Sequence, residues 1–299
     1  MKHVVSVSLG SSRRDHSVET EFAGERFLIR RIGTDGDMKK AESLIKDLDG
    51  KVDAMGMGGI DLYIQAGKRR YTFKDARRLA SAAKKTPIVD GTGLKNTLER
   101  NTIRYLNTSE GFDLKNKKVL LVCGVDRFGM AEALEEAGAD VSFGDLIFGL
   151  NLPIMIRSLR TLEKAAKLLG PIVSRLPFQY LYPTGDKQET SKDKYGDYYR
   201  QNEIIAGDFH YIKKYLPQRI DHKTIITNTV TREDVKMLKE KGAACLITTT
   251  PELEGRSFGT NVMEAVLIVL LDKPLDEICE EDYEQMLEKV RFLPRIIHF

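Results

Sequence analysis

The sequence predicts an α/β fold of two domains, the second with a Rossmann-like, doubly wound and mostly parallel sheet. The chain has 299 residues, which is enough for about two domains of ~150 residues each. Short apolar segments of strand length alternate with segments whose apolar residues recur at helical spacing. One of these strands, Lys118–Cys123, is continuously apolar from Val119 onward, as strands buried on both faces of a parallel sheet are.

The composition is that of a globular protein with mixed charge. Because 41% of the residues are hydrophobic and 30% are charged, the chain can bury a core and is not predicted to be disordered. The 47 Lys and Arg residues are balanced by 44 Asp and Glu residues, which does not favour a nucleic-acid partner. The longest apolar stretch, Val262–Leu271, is about half the ~20 residues that a membrane helix needs, so no membrane span is expected.

The N-terminus and the cysteines indicate a cytoplasmic protein. Met1–Leu9 runs directly into a strand pattern without a signal-peptide cleavage site. The three cysteines, Cys123, Cys245 and Cys279, are widely spaced, which predicts neither a disulfide framework nor a metal site. We therefore expect a small-molecule substrate as the partner. The oligomeric state stays open, with a homodimer among the options.

Residues 1–110 are predicted as the first domain, on the substrate side. The expected elements, in order, are the strands Val4–Leu9 and Glu25–Arg31, the helix Met38–Leu48, the strands Val52–Met57 and Ile60–Ile64, the helix Lys74–Lys85 and the strand Pro87–Val89. β-Branched runs favour strands, and apolar residues at helical spacing favour helices. The polar, glycine-containing segment Asn107–Asn116 is the expected boundary.

Residues 111–299 are predicted as the Rossmann-like domain. The expected elements, in order, are the strand Lys118–Cys123, helix Met130–Ala137, strand Asp140–Phe143, helix Pro153–Leu169, strand Glu203–Ala206, helix Tyr211–Tyr215, strand Thr224–Ile226, helix Arg232–Lys241, strand Ala244–Ile247 and helix Asn261–Leu271. Alternation of strands and helices favours a parallel sheet with right-handed crossovers. The polar stretch Thr184–Gly196 is either a solvated connection or a lid over a site.

Small and polar residues follow the strands of the second domain. In an open parallel sheet these strand ends meet at one edge, where ligands bind. Hydroxyl and amide groups there suit a ligand with many hydrogen-bonding groups, although turn chemistry alone also makes such loops polar. The residues expected to bind a cofactor are Gly124, Arg127, Gly129, Asp145, Thr227, Asn228, Thr248 and Thr249.

The turn Gly124–Gly129 is similar to the dinucleotide fingerprint G-x-G-x-x-G. Its first and last glycines have the right spacing, and Asp145 lies at the distance expected for an acid that accepts ribose hydroxyls. The middle glycine is replaced by Asp126, whose carboxylate repels a pyrophosphate, while Arg127 partly neutralises that charge. The alternative is a tight strand-to-helix turn in a sheet that binds another ligand.

Two other segments are candidates for binding the anionic group of a substrate. One follows the first strand and carries Ser11, Ser12 and Arg13, whose hydroxyls and guanidinium suit an anion. The other is the turn before the last predicted helix, which carries Arg256 and leads to a helix N-terminus. Thr92 is the further residue that we expect to bind substrate. The alternative is an ordinary polar turn for the first segment and a simple capped turn for the second.

The candidate catalytic residues are Asp90, Lys95 and His210. Asp90 and Lys95 lie in one glycine-containing loop, where a Lys–Asp pair facing a cleft transfers protons to a hydroxyl or carbonyl group. His210 follows a predicted strand end two residues after Asp208, which makes it an acid–base candidate. The alternatives are solvated surface residues for the pair and a structural histidine for His210.

Five segments together resemble a known family; they are Asp53–Ile60, Pro87–Thr97, Val119–Gly129, Gly207–Pro217 and Thr248–Asn261. The chain resembles, over nearly its full length, the bacterial quinate 5-dehydrogenase-like (shikimate/quinate dehydrogenase-like) family. The resemblance implies an N-terminal substrate domain, a C-terminal nicotinamide domain and a Lys–Asp pair in the cleft. The N-V-T-x-P-x-K stretch of shikimate dehydrogenases is absent, so Lys95 and Asp90 correspond to that pair by neighbourhood.

The function predicted on this basis is an NAD(P)-dependent oxidoreductase that acts on a small hydroxylated or carboxylated, quinate- or shikimate-like metabolite. The cofactor is NAD or NADP, and Asp145 favours NAD. The alternative is a non-redox Rossmann-like protein that binds another nucleotide or metabolite, as an enzyme or a sensor. Asp126 distinguishes the two, because a carboxylate pointing into the crevice leaves no place for a pyrophosphate.

Overall fold

The fold is α/β, with two mainly parallel sheets, as the sequence predicts. The computed structural model describes residues 1–66, 69–109, 111–175, 195–253 and 256–299. Apolar clusters cover both faces of each sheet, as parallel sheets require. Within the described residues, no helix combines the length and the apolar character that crossing a membrane demands. Most of the predicted polar loop, Thr184–Gly196, lies outside the described residues.

The first sheet has five strands, in the spatial order β2-β3-β1-β4-β7. They are β1 (Lys2–Ser8), β2 (His16–Phe22), β3 (Glu25–Gly33), β4 (Ala54–Gly58) and β7 (Ile88–Val89). Only β2 runs antiparallel to its neighbour. Helices α1 (Met38–Leu48) and α2 (Lys74–Ala80) connect its strands. The carboxyl ends of β1 and β4 therefore lie side by side, and residues that follow them share one edge.

Strand β2 falls in a segment for which the sequence analysis predicts no strand. Val18 and Phe22 are buried while Ser17 and Glu19 are exposed, so the alternation of a half-buried strand is present but weak. Ala23 and Gly24 both have positive φ, which is the conformation of a two-residue hairpin turn. A second hairpin, β5 (Tyr63–Ala66) and β6 (Arg69–Thr72), takes the place of the single strand expected at Ile60–Ile64.

The second sheet has six strands, in the order β15-β12-β11-β10-β8-β9. They are β8 (Lys118–Leu121), β9 (Asp140–Phe143), β10 (Ile204–Gly207), β11 (Thr224–Thr227), β12 (Cys245–Thr248) and the unpredicted β15 (Arg295–His298). All are parallel except β15. Two short antiparallel strands, β13 (Glu252–Leu253) and β14 (Arg256–Ser257), lie between β12 and β15 along the chain. The connecting helices include α4 (Phe128–Glu136), α5 (Leu159–Val173), α6 (Gly196–Arg200), α7 (Phe209–Lys214) and α8 (Arg232–Glu240).

Helices lie at the places where the chain passes from one sheet to the other. The sequence analysis assigns no helix to Thr92–Ser109, yet these residues form α3, which packs against α4 of the second sheet. Near the end of the chain, α9 (Thr260–Leu271) returns to pack on β1 and β4 of the first sheet. Helix α10 (Glu280–Lys289) then covers α3 and α9. The domain boundary at residue 110 stays a prediction, but it does not follow the packing, because residues 260–289 belong with the first sheet.

Candidate functional site

We call the first sheet with the helices packed on it the first lobe, and the second sheet with its helices the second lobe. A cavity of about 330 Å³ lies between the two lobes, and we call it the interlobe cleft. Ser6 and Ser8 of β1 line it on the side of the first sheet. Asp126, Asp208 and Asn228, which follow strands of the second sheet, line it on the other side. The carboxyl ends of strands from both sheets therefore face one space, which is the usual position of a ligand site in α/β proteins.

Lys95 joins the two walls of the cleft. This residue lies in the first turn of α3, and its side chain is buried. Its Nζ is 2.9 Å from Oδ1 of Asp126 in the second lobe and 3.1 Å from Oδ1 of Asp61 in the first. Burial alone would lower the pKa of Lys95, but Asp126 and Asp61 outweigh it and raise the pKa above its ordinary value. Lys95 is therefore a cation at every physiological pH.

Arg127 lies beside this pair and is also buried. Its Nη2 is 2.9 Å from Oδ2 of Asp208, its Nε is 3.4 Å from Oδ2 of Asp126, and its Nη1 contacts Glu99. Burial opposes the charge on Arg127, yet the three carboxylates raise its pKa. Burial also raises the pKa of Glu99 to about 7, against the opposing effects of Arg127 and Lys95. Glu99 is one helical turn from Lys95 on α3, so both face the second lobe.

Asp208, which contacts Arg127, also contacts His210. Its Oδ1 accepts a hydrogen bond from the backbone N–H of His210 at 2.8 Å, and its Oδ2 accepts one from Nδ2 of Asn228 at 2.9 Å. Burial alone would raise the pKa of Asp208, but its contacts with His210 and Arg127 outweigh burial and lower the pKa to about 2. Burial lowers the pKa of His210 in spite of Asp208, so the imidazole is neutral near pH 7.

In the glycine-containing turn Gly124–Gly129, backbone N–H groups donate hydrogen bonds to side chains of this same chain. The Asp145 carboxylate accepts hydrogen bonds from the N–H groups of Gly124 at 2.9 Å and Val125 at 2.8 Å. Burial raises the pKa of Asp145 to about 6, although these N–H groups oppose the shift. The N–H of Gly129, at the start of α4, donates to Oδ1 of Asn96 on α3 at 3.1 Å.

This arrangement does not fit a pyrophosphate at the turn. A pyrophosphate in the usual Rossmann position lies against the N-terminus of the helix after the turn. Here α3 covers that position, since a Cβ on Gly129 would lie 2.5 Å from the backbone oxygen of Asn96. The Asp126 carboxylate lines the cleft next to Lys95, which is the orientation that leaves no room for a phosphate. The predicted cofactor roles of Gly124, Arg127, Gly129 and Asp145 stay predictions.

Asp90 does not pair with Lys95. It lines the cleft, but its Oδ2 accepts hydrogen bonds from the N–H of Leu62 at 2.5 Å and from the hydroxyl of Thr92. The expected Lys95–Asp90 pair is therefore replaced by Lys95 with Asp61 and Asp126. Thr92 is buried against Asp90 and is absent from the cleft lining, because its hydroxyl holds the turn that begins α3.

Three of the predicted cofactor-binding threonines point into the protein. The Thr227 hydroxyl donates to the carbonyl of Gly207 at 2.7 Å, and the Thr248 hydroxyl donates to that of Thr250 at 2.8 Å. Thr227, Thr248 and Thr249 are almost completely buried and do not line the cleft. The Thr227 hydroxyl thus joins the ends of β11 and β10, whereas the buried Thr249 hydroxyl has no hydrogen-bond partner among the described residues. Of this group of strand-end residues, Asn228 does reach the cleft.

The first lobe presents Arg14 to the cleft rather than Arg13. Ser11 caps a short helical turn by accepting from the N–H of Arg13 at 3.3 Å, while Ser12 and Arg13 are exposed. Arg14 and Arg31 line the cleft instead. The other predicted anion-binding residue, Arg256, has a side chain outside the described part of the structure.

Three residues that line the cleft, Arg14, Arg31 and Asp61, were not expected there from the sequence, and neither was Glu99, which contacts Arg127 behind it. Glu99 carries a usable signal, because it lies four residues after Lys95 once α3 is recognised as a helix. Asp61 lies two residues after Gly59, the second of the strand-end glycines Gly58 and Gly59. Arg14 carries no signal that separates it from Arg13, since the orientation of a short turn decides which one faces inward.

Two family models match the chain. The model described as Domain of unknown function (DUF8754) matches residues 93–299, and the one described as Domain of unknown function (DUF8753) matches residues 3–90. Because the first covers more than half of the chain, the protein belongs to the DUF8754 family. The models divide between β7 and α3, where the chain leaves the first sheet. Among curated proteins, none matches this sequence.

Several solved structures are distantly similar to the chain. A glutamate dehydrogenase from Thermus thermophilus is 14% identical with a TM-score of 0.44, covering 97% of this chain and 73% of that one. An L-tryptophan dehydrogenase from Nostoc punctiforme is 11% identical with a TM-score of 0.37, covering 97% and 78%. A glucose-galactose binding protein from Geobacillus stearothermophilus is 10% identical with a TM-score of 0.38, covering 99% and 97%. At these scores the likenesses carry no functional argument.

Proposed function

We propose that this protein is a non-redox enzyme that binds a small polar metabolite in the interlobe cleft and transfers a proton next to a hydroxyl or carbonyl group. The observation that carries the proposal is the position of Lys95 between Asp61 and Asp126, at 3.1 and 2.9 Å. A buried cation flanked by carboxylates from two lobes supplies both partners of an acid–base step. All three groups line the cleft, so they surround a ligand bound next to Lys95.

Lys95 stabilises negative charge on an oxygen of the ligand. A lysine ammonium has three N–H donors, and its hydrogen bonds within the described residues use two of them. The third is available to a carbonyl or hydroxyl oxygen in the cleft, which Lys95 lines. Because its pKa is raised, Lys95 stays charged and acts as a fixed electrostatic donor. Such donors are among the largest contributors to catalysis in a site that excludes water.

Asp61 is the carboxylate that we assign to accept the proton. Asp126 contacts both Lys95 and Arg127, and these two cations lower its pKa against the effect of burial. Asp126 is therefore a weak base. Asp61 belongs to the first lobe and lines the cleft on the other side of Lys95. Proton removal by Asp61, with Lys95 on the adjacent oxygen, is the chemistry of isomerases and dehydratases.

The experiment that tests this proposal is hydrogen exchange in D2O, followed by proton NMR on a panel of small hydroxy acids and keto acids. The expected result is enzyme-dependent loss of a C–H signal from a panel member, without any added dinucleotide. The variant Lys95→Met is expected to slow this exchange at least about 100-fold, whereas Lys84→Met, at an exposed lysine, leaves the rate unchanged. Exchange that is equally fast in both variants would contradict the assignment of Lys95.

A second variant, Lys95→Arg, distinguishes loss of catalysis from loss of the folded structure. Lys95→Met leaves Asp61 and Asp126 without their cation, which destabilises a buried site. Lys95→Arg keeps the charge and differs in shape, so it is expected to fold as the wild type does while exchange remains slow. If Lys95→Arg is folded and exchanges at the wild-type rate, any cation at this position supports exchange, and the geometry of the lysine ammonium is not required.

The second candidate function is the predicted NAD(P)-dependent oxidoreductase, with a quinate- or shikimate-like substrate. One feature favours it: the cleft extends past Asp145 to apolar residues, among them Leu146, Leu150 and Leu162, which suit a flat ring. A dinucleotide in that place requires the Asp126 and Asp145 carboxylates to leave their present partners. The same panel with NAD and NADP, read by absorbance at the nicotinamide band, distinguishes this candidate from exchange that needs no cofactor.

A further inference from the structure

One end of the interlobe cleft carries two arginines that lie close together. Arg14 and Arg31 both line it, and the first turn of α9, Gly259–Asn261, lines it as well. Neither arginine belongs to the Lys95 cluster, whose cations are matched by their own carboxylates. The positive groups at this end are therefore separate from the proposed proton-transfer site.

Arg31 is held rigidly by the first lobe. Its Nη2 donates to Oγ of Ser8 at 3.0 Å, and its Nη1 donates to the carbonyl of Ser11 at 3.0 Å and to Asp15 at 2.8 Å. Burial and the charge of Arg14 together lower the pKa of Arg31 to about 10, against the opposing effects of Asp15 and Asp35. Asp15 is the carboxylate partner of Arg31, and the Arg14 charge opposes that of Arg31, so a ligand anion that faces both guanidinium groups would reduce their repulsion.

Arg14 reaches across the cleft to the second lobe. Its Nη1 lies 3.3 Å from Nε2 of His210. A guanidinium has only donors, so Nε2 of His210 is the accepting nitrogen and the ring proton is on Nδ1. The lowered pKa of His210 keeps the ring neutral, which avoids repulsion of Arg14. His210 is therefore a positioning residue for Arg14 rather than a free base.

The first turn of α9 adds a third positive feature. Gly259 precedes this 12-residue helix, and no side chain caps its N-terminus within the described residues. The Asn261 side chain instead donates to Oγ of Ser6 at 2.7 Å. Unpaired N–H groups and the helix dipole make such a terminus favourable for a negative group. Three independent elements thus present positive charge to the same end of the cleft.

We propose that this end of the cleft binds the carboxylate of the metabolite, with Arg14 and Arg31 as its direct contacts. The inference rests on the proposed function, because it names the substrate class of the same cleft. A carboxylate bound by Arg14 and Arg31 extends the ligand towards Lys95.

The test compares binding of quinate and its methyl ester, by calorimetry, to two variants. Arg14→Gln is expected to weaken quinate binding about tenfold or more, the usual effect of losing one charged hydrogen bond. Arg30→Gln is the matched control, because Arg30 is the exposed neighbour of Arg31 on β3. It is expected to bind quinate as the wild type does. The uncharged ester is expected to bind weakly and equally to all three proteins.

Equal affinity of Arg14→Gln and Arg30→Gln for quinate would overturn the proposal, and so would equal affinity of the wild type for the acid and its ester. Absence of binding by quinate, shikimate, malate and citrate alike would overturn it too. Arg14→Lys keeps a positive charge and is expected to regain part of the affinity, which separates recognition from misfolding. Carboxylate binding that depends on Arg14 without hydrogen exchange would keep this site and remove the proposed function.

Discussion

The ammonium of Lys95 lies 2.9 Å from a carboxylate oxygen of Asp126 and so connects the first turn of α3 to the turn after β8. Asp126 occupies a position that a dinucleotide-binding turn uses differently. Asp126 replaces the middle glycine of the fingerprint, where a backbone without side chain allows close approach to a pyrophosphate. The pair therefore converts a cofactor-type turn into one wall of a polar, charged cleft.

Replacement of Asp126 by Asn is expected to destabilise the protein by roughly 2–3 kcal/mol, because a buried cation loses one of its two charged partners. Urea unfolding near pH 7 measures this free energy. The matched control is Asp47→Asn, at an exposed position on α1, for which we expect a change within about 0.5 kcal/mol. Equal losses in the two variants would mean that the Lys95–Asp126 pair contributes nothing.

Replacement of Arg127 by Met is expected to cost about 3–5 kcal/mol at pH 7.5, because it leaves buried carboxylates without their cation. The double variant Arg127→Met/Glu99→Gln is expected to lose less than Arg127→Met alone, since Glu99 is then uncharged. A double-mutant cycle by urea unfolding measures this coupling. Strictly additive losses would show that Glu99 and Arg127 do not act on each other.

The strands and helices that the sequence predicts well are those with strong local patterns. The predicted strand Lys118–Cys123 is apolar from Val119 onward and contains β8 (Lys118–Leu121), and the alternation after it agrees with the parallel order of the second sheet. Helix α3 is missed because Thr92 and Gly93 at its start favour turns, while its buried leucines contact elements distant in sequence. The return of α9 to the first sheet depends on tertiary packing alone.

The location of the candidate site can be predicted from the sequence, but the ion pairs and hydrogen bonds within it cannot. The strand-end rule correctly places Asp126, Asp208 and Asn228 at one cleft. It cannot say that Lys95 contacts Asp61 and Asp126 instead of Asp90, because these pairings depend on how α3 lies across both lobes. Nor does the sequence indicate that Thr227 turns inward to the Gly207 carbonyl, since a strand-end hydroxyl serves a ligand or a neighbouring strand equally well.

The buried carboxyl of Glu264 predicts a stability that falls as the pH rises. Glu264 accepts hydrogen bonds from the N–H of Gly91 at 2.6 Å and the hydroxyl of Tyr283 at 2.7 Å. Burial, followed by the charge of Asp90, raises its pKa from 4.5 to about 8. Between these values the folded state holds a proton that the unfolded state has lost, so unfolding becomes easier by up to ~1.4 kcal/mol per pH unit from this group.

The variant Glu264→Gln removes that titration while keeping an acceptor for one of the two donors. Its unfolding free energy, measured by urea at pH 5, 7 and 9, is expected to change less with pH than that of the wild type. The difference between the two proteins should be greatest from pH 5 to pH 8. Parallel pH profiles for the two proteins would show that Glu264 is already ionised at pH 5.

Substitution of Gly129 tests the close approach of α3 to α4. A Cβ there would lie 2.5 Å from the backbone oxygen of Asn96, and that backbone cannot yield as a flexible side chain can. Gly129→Ala is therefore expected to destabilise the protein by about 1–3 kcal/mol. Gly149→Ala is the matched control, because nothing lies within 4 Å of its Cβ position. Thermal unfolding of the two variants measures the difference.

The central claim is that the interlobe cleft takes a small carboxylate and not a dinucleotide. A thermal-unfolding titration with quinate, shikimate, NAD, NADH, NADP and NADPH tests it most directly. A ligand at about 100 times its Kd adds about 2.7 kcal/mol to stability, which raises the Tm by several degrees for a chain of this size. We predict such a shift with a carboxylate and none with the four dinucleotides. A shift of that size with any dinucleotide would contradict the account.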